Sequence, residues 1–155
     1  MRALMIASFI FAYLFHVAPL SGLWAWFRPE LVILLVIYWC VYFPQQFGLV
    51  SASIVGLGLD LIDMSPLGFN VLGVLLVAYI CHMVYQRVRN YVLWHQGVWA
   101  FVLVGLFQLF SNWLGGFYGR STDLPYFLIA AFISGLLWII IVKVIEQLLI
   151  RLRLT

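Results

Sequence analysis

Residues 31–43 read LVILLVIYWCVYF, an unbroken apolar run with no charged residue in it. Every position is apolar or aromatic, so the run lacks the two-residue alternation of a half-buried strand and the one-sided stripe of a surface helix. A segment apolar on all sides is a helix enclosed by protein or lying in lipid. At 1.5 Å per residue it reaches about 20 Å, short of a bilayer's hydrocarbon core of about 30 Å. Pro29 and Pro44 bound it, and Gln45 and Gln46 extend it only a little.

The same pattern repeats on either side. Phe47–Ile62 is also short, carries Gly48, Ser51, Ala52, Ser53, Gly56 and Gly58, and closes on Asp60 and Asp63. Leu67–Tyr85 ends in Gln86-Arg87-Val88-Arg89-Asn90, and Val92–Trp113 ends at Gly115-Gly116 and Gly119-Arg120. Leu124–Ile145 runs on into Glu146, Arg151 and Arg153. Toward the N-terminus, Ala3–Leu20 follows Met1-Arg2. It lacks a small-residue cleavage site after it and reads as a retained first helix rather than a signal peptide. Trp24 and Trp26 beside Arg28 read as an interfacial belt.

Composition agrees. Hydrophobic residues make up 66% of the chain and charged residues 8%, with a mean hydropathy of +1.14, where soluble domains carry about 25% charge. Backbone groups cannot stay unpaired in lipid, so the runs must be helices or barrel strands, and barrel strands would alternate. The expectation is an all-α, polytopic membrane protein. It forms a single transmembrane domain over residues 1–155, with six helices near 3–20, 31–46, 47–62, 67–85, 92–113 and 124–150.

The net charge of +3 is scattered at the ends of the runs. It therefore carries topology rather than nucleic-acid affinity. With the N-terminus inside, Arg2, Arg87, Arg89, Arg151 and Arg153 are cytoplasmic, and Arg28 and Arg120 are external. Both termini are then inside. A re-entrant hairpin made of the second and third runs would leave these sides unchanged, so charge does not separate the two arrangements.

Few residues suggest chemistry. His16, His82 and His95 sit in different segments without metal-ligand spacing. No G-x-S-x-G, P-loop or H-E-x-x-H occurs. Cys40 and Cys81 lie inside apolar runs and read as buried thiols. The chain thus calls for no catalytic residue, metal or cofactor. Asp60 and Asp63 either face water at the external interface, or Asp60 turns inward onto Arg28 or onto backbone amides. Arg28 and Glu30 begin the second helix on that same side, so an external pocket of Arg28, Glu30, Asp60 and Asp63 is topologically possible. Lys143 and Glu146 share a helix face and snorkel to the interface or meet a partner. Gln108 and Asn112, four apart, are expected to bond to neighbouring helices. Small residues four apart recur at Ala3/Ala7, Ser8/Ala12, Ala52/Gly56, Ala130/Ser134 and Ala131/Gly135, a spacing that lets helices approach closely.

Longer motifs follow one another in a specific order. They are Phe27-Arg28-Pro29-Glu30-Leu31, Ile37-Tyr38-Trp39, Pro44, Gly56-Leu57-Gly58-Leu59-Asp60-Leu61, Ser65-Pro66-Leu67-Gly68 and Ala78-Tyr79. Arg89-Asn90, Leu93-Trp94-His95-Gln96 and Gly135-Leu136-Leu137-Trp138 complete the series. In this order and spacing, over about residues 20–150, the chain resembles the rod shape-determining MreD family of Gram-negative bacteria. It departs at Ile139, where relatives often carry proline, and at Gln45-Gln46, where they often carry histidine and arginine. The resemblance implies a non-enzymatic inner-membrane component of the wall-elongation machinery. It implies association with MreC, and through it with MreB, RodA and a class B penicillin-binding transpeptidase. It also implies a fold similar to the six-helix substrate-binding S-components of energy-coupling vitamin transporters. A partner helix is expected to pack where small residues gather, at Ser51, Ala52 and Gly56 or at Ala130, Ala131, Ser134 and Gly135. The alternative reading is a membrane subunit that binds a small molecule or lipid precursor in the external pocket.

Overall fold

The computed structural model describes residues 2–17, 30–117 and 124–151, with the backbone alone for 124–128. They form α1 (Arg2–Val17), α2 (Leu31–Tyr42), α3 (Leu49–Ile62), α4 (Phe69–Arg89), α5 (Leu93–Phe117) and α6 (Leu124–Arg151). No strand occurs among the described residues. Three helices, α4, α5 and the Ile129–Arg151 part of α6, are long and apolar enough to cross a membrane. The other three are shorter apolar helices of 16, 12 and 14 residues.

The run that fixes the fold is the centre of the molecule. α2 packs against α1, α4, α5 and α6, while α3 packs between α1 and α4. The other five helices thus form an arc, α1–α3–α4–α5–α6, around α2. Residues Val32 to Val41 are all buried. α2 is apolar on every face because protein covers every face, and a helix sheltered in this way need not reach from one lipid boundary to the other. It ends at Tyr42, earlier than the expected residue 46. Pro44 has no N–H to continue the ladder, and Gln46 and Phe47 instead donate their amides to the Phe43 carbonyl at 3.0 and 3.1 Å. α4 starts at Phe69 because Gly68 before it is left-handed (φ 100°), a conformation glycine adopts without strain. It runs past Tyr85 to Arg89, placing Arg87 and Arg89 in the last turn, where the helix dipole favours cations.

Glycines set the close approaches. A Cβ at Gly56 of α3 would lie 2.6 Å from Val71 Cα of α4. One at Gly135 of α6 would lie 2.9 Å from Phe101 Cβ and 3.1 Å from the Gly97 carbonyl oxygen of α5. α1 is held by Phe9 stacked on Phe47 at 5.5 Å and by Trp39 Nε1 donating to Ser8 Oγ at 3.2 Å. The Tyr13 hydroxyl also donates to the Val55 carbonyl at 2.6 Å, and it fits because Gly58 has no side chain there.

The outer faces are apolar along whole helices: Ile6, Ile10 and Leu14 on α1, Val50, Ile54 and Leu61 on α3, and Leu136, Ile140 and Val144 on α6 are exposed. Continuous apolar surface of this extent belongs against lipid or another membrane helix.

Candidate functional site

Among the described residues, two hydrogen-bonded polar clusters stand out in the apolar interior, one at each end of the bundle. The first lies where α1 and α3 end and α4 begins. Asp60, 1% exposed, sits in the last turn of α3 and faces the free amides at the start of α4. Its Oδ2 accepts the Gly68 amide at 2.7 Å, and its Oδ1 accepts the Asn70 amide at 2.7 Å and the Ser65 hydroxyl at 2.9 Å. A carboxylate at a helix N-terminus satisfies donors with no intrahelical partner and complements the positive end of the dipole. Asp60 therefore caps α4 from the preceding helix. Asn70 joins the two acids, since its side-chain amide donates to Asp63 Oδ2 at 3.0 Å. The other Asp63 oxygen lies 2.9 Å from His16 Nε2, which ties the end of α1 to the end of α3.

Of the two expectations for Asp60, the inward turn onto backbone amides is the one found. Arg28 lies outside the described residues. Glu30 is placed against α6, its amide donating to Ser134 Oγ at 3.1 Å, while Asp60 and Asp63 face α4. The spacing that could have revealed this cap is Asp60 followed by Ser65-Pro66-Leu67-Gly68. A short turn closing on a helix N-terminus brings the acid back over the first amides. His16 and Asn70 gave no such signal.

The second cluster joins α2, α5 and α6 at the opposite end. Gln96 is buried. Its Oε1 accepts the Tyr42 hydroxyl at 3.0 Å and Trp138 Nε1–H at 3.4 Å, and its Nε2 donates to the Tyr91 carbonyl at 3.0 Å. Tyr38 stacks on Tyr42 at 4.7 Å and lies 6.4 Å from the Trp138 ring. Three of the sequence motifs, those around Tyr38, Gln96 and Trp138, thus converge on one polar knot. Replacing Gln96 by leucine orphans the buried Trp138 N–H, leaves the half-buried Tyr42 hydroxyl without this acceptor, and is expected to cost about 1–3 kcal/mol. Thermal unfolding in detergent reads this, and Tyr42→Phe, which removes only the half-buried donor and leaves the Trp138 bond, should retain more of the stability.

The small-residue faces are filled within the chain. Ala52 and Gly56 are buried, with Gly56 against α4, and Ser51 is half-buried. Ala130, Ala131, Ser134 and Gly135 are buried, with Gly135 against α5 and Ser134 bonded to the Ala130 carbonyl at 2.8 Å. On α5, Gln108 Oε1 and Ser111 Oγ are buried without a hydrogen-bond partner among the described residues, so the bond expected of Gln108 is not made by that oxygen. Cys40 and Cys81 are both buried and free. Lys143 and Glu146 are exposed on α6.

The model of the family "rod shape-determining protein MreD" matches residues 1–148. A curated relative, the rod shape-determining protein MreD of Haemophilus influenzae, is 27% identical over 139 residues, covering 86% of this chain and 82% of the relative. No solved structure matches. With the helical architecture above and a family match running over nearly its whole length, this chain belongs to the rod shape-determining MreD family.

Proposed function

We propose that the protein is a non-enzymatic scaffold of the bacterial wall-elongation complex, embedded in the inner membrane with six spans and both termini in the cytoplasm. The family match carries this reading. The alternation of helix ends supports the topology. α1 and α3 finish together at His16 and Asp63, and α2 finishes where α5 starts, at Tyr42 and Gln96. Arg2, Arg87, Arg89 and Arg151 then share one end, as the bias of cytoplasmic loops toward basic residues requires.

The described residues are almost entirely helices and short turns, so recognition in this reading uses helix faces. Its direct partner in this reading is MreC, whose single membrane helix would lie along one of the exposed apolar faces. MreB, RodA and the transpeptidase connect through that partner. The glycine contacts α3–α4 and α5–α6 are already occupied, which leaves the outer faces of α1, α3 and α6 for docking. The small-molecule reading gains little support from Asp60, whose carboxylate is taken up by the chain's own amides.

Depletion in a rod-shaped host tests the role. Cells should round up, and tagged protein solubilised from the membrane should carry MreC with it. Rods of normal shape after depletion, or recovery free of MreC, would sink the proposal. An alkaline phosphatase fused to the C-terminus should be inactive, and an active fusion would reverse the topology.

A further inference from the structure

The turn between α3 and α4 shows two independent signs of contact with lipid, and its backbone fixes the depth. The first is reach. From its Gly48 cap to its Asp63 cap, α3 rises about 22 Å, against about 30 Å of hydrocarbon. α5 and α6, with 25 and 28 residues, rise about 37 and 42 Å.

The second sign is what the turn presents. Met64 is 86% exposed and Leu67 74% exposed, with Pro66 exposed between them. Met64 holds φ 49°, a left-handed conformation uncommon for a residue with a side chain. This is the residue just past the α3 cap, where the Ser65 amide turns back to the Asp60 carbonyl at 3.0 Å, and it carries an apolar side chain where a water-facing turn would carry glycine or a polar residue.

The backbone of the turn is only partly paired within the chain. The amides of Asp63, Ser65, Gly68, Phe69 and Asn70 donate to acceptors within α3 and the turn, two of them to the Asp60 carboxylate, while those of Met64 and Leu67 have no acceptor among the described residues. Pro66 has no amide to satisfy. An unpaired amide costs several kcal/mol in hydrocarbon, so this backbone belongs at the hydrated headgroup level, with the side chains alone reaching the acyl chains. The remaining charge, on Asp63, is met by Asn70 and His16.

We propose that the α3–α4 turn, residues 63–68, rests at the boundary between acyl chains and headgroups with Met64 and Leu67 in phospholipid. The bilayer is then thinner beside α3 than beside α5 and α6. The proposal rests on the membrane-spanning reading but not on which end faces the cytoplasm. A hydrophobic mismatch of this kind is relieved by local thinning at a modest cost per ångström.

Single cysteines at Met64, Leu67, Ile54 and Asn90 test it in the full-length protein in phosphatidylcholine vesicles opened to both sides. Cys40 and Cys81 are buried and stay silent. Exposed Asn90 in the α4–α5 turn is the aqueous reference, and Ile54 marks the middle of α3. Met64→Cys and Leu67→Cys should react with a charged maleimide about tenfold or more slowly than Asn90→Cys, because only the thiolate reacts and apolar surroundings suppress it. A bimane on either turn position should be quenched more by a shallow nitroxide lipid than by a deep one, and a bimane at Ile54→Cys the reverse. Turn cysteines that react as fast as Asn90→Cys and escape lipid quenching would overturn the proposal and leave the turn open to a partner protein. If Ile54→Cys also escapes the deep quencher, the spanning reading itself fails and the proposal falls with it.

Discussion

Asp60→Leu should be the most damaging single substitution in the chain. It leaves the Gly68 and Asn70 amides and the Ser65 hydroxyl without their acceptor at a buried helix terminus. Each orphaned buried donor costs about 1–3 kcal/mol. The two amides alone thus threaten about 2–6 kcal/mol, a large part of a typical stability of about 5–15 kcal/mol. The folded yield after detergent extraction should collapse. Asp60→Asn keeps one side-chain oxygen as an acceptor, so it should fall between wild type and leucine, and Asp60→Glu should recover little because the longer side chain overshoots the amides. Equal yields for wild type and leucine would show that the α4 cap contributes nothing. Loss of rod shape in the leucine variant would then follow from lost protein, so abundance in the membrane must be measured beside cell shape.

Gly56→Leu is expected to come next. The first atom added meets Val71 Cα at 2.6 Å, which is backbone and cannot rotate away. Relief requires α3 to move off α4, its main neighbour, and overpacking of this kind costs about 1–3 kcal/mol or more. A lowered unfolding midpoint is the expected result. Any loss of MreC on co-purification should then scale with the loss of folded protein. By contrast, an exposed substitution such as Ile54→Trp should leave the midpoint unchanged, and at a docking face it lowers recovery of MreC alone. Loss of MreC with an unchanged midpoint in Gly56→Leu would show that Gly56 itself meets the partner.

The contrast between these two sites shows what could be read from residue order. The apolar run from Leu31 was legible as a helix because hydropathy is a local property. Its place at the centre was not, since a run apolar on all sides looks the same in lipid and in protein. The small residues at Gly56 and Gly135 announced close helix packing, but the spacing does not say whether the neighbour is the chain itself or another protein. Asp60 was visible as an acid near a helix end, and turning inward onto amides was one of its two open outcomes. Its partners Ser65 and Gly68 lay in a motif that was recognisable without its purpose, and Asn70 lay outside any motif. The link from Gln96 to Tyr42 and Trp138 had no local trace, because 54 and 42 residues separate the partners. Arg28, central to the expected external pocket, falls outside the described residues.

The enclosed position of α2 also has a consequence for biogenesis. The chain emerges from the ribosome in order, so in the six-span reading proposed above α2 enters the membrane before α4, α5 and α6 exist to surround it. During that interval its Tyr38, Trp39 and Tyr42 surfaces meet lipid or the insertion machinery, and Tyr42 lacks the Gln96 oxygen that later accepts its hydroxyl. Completion of the arc is therefore a late event that depends on the last helix. A chain truncated before Leu124 leaves the side of α2 that α6 covers bare.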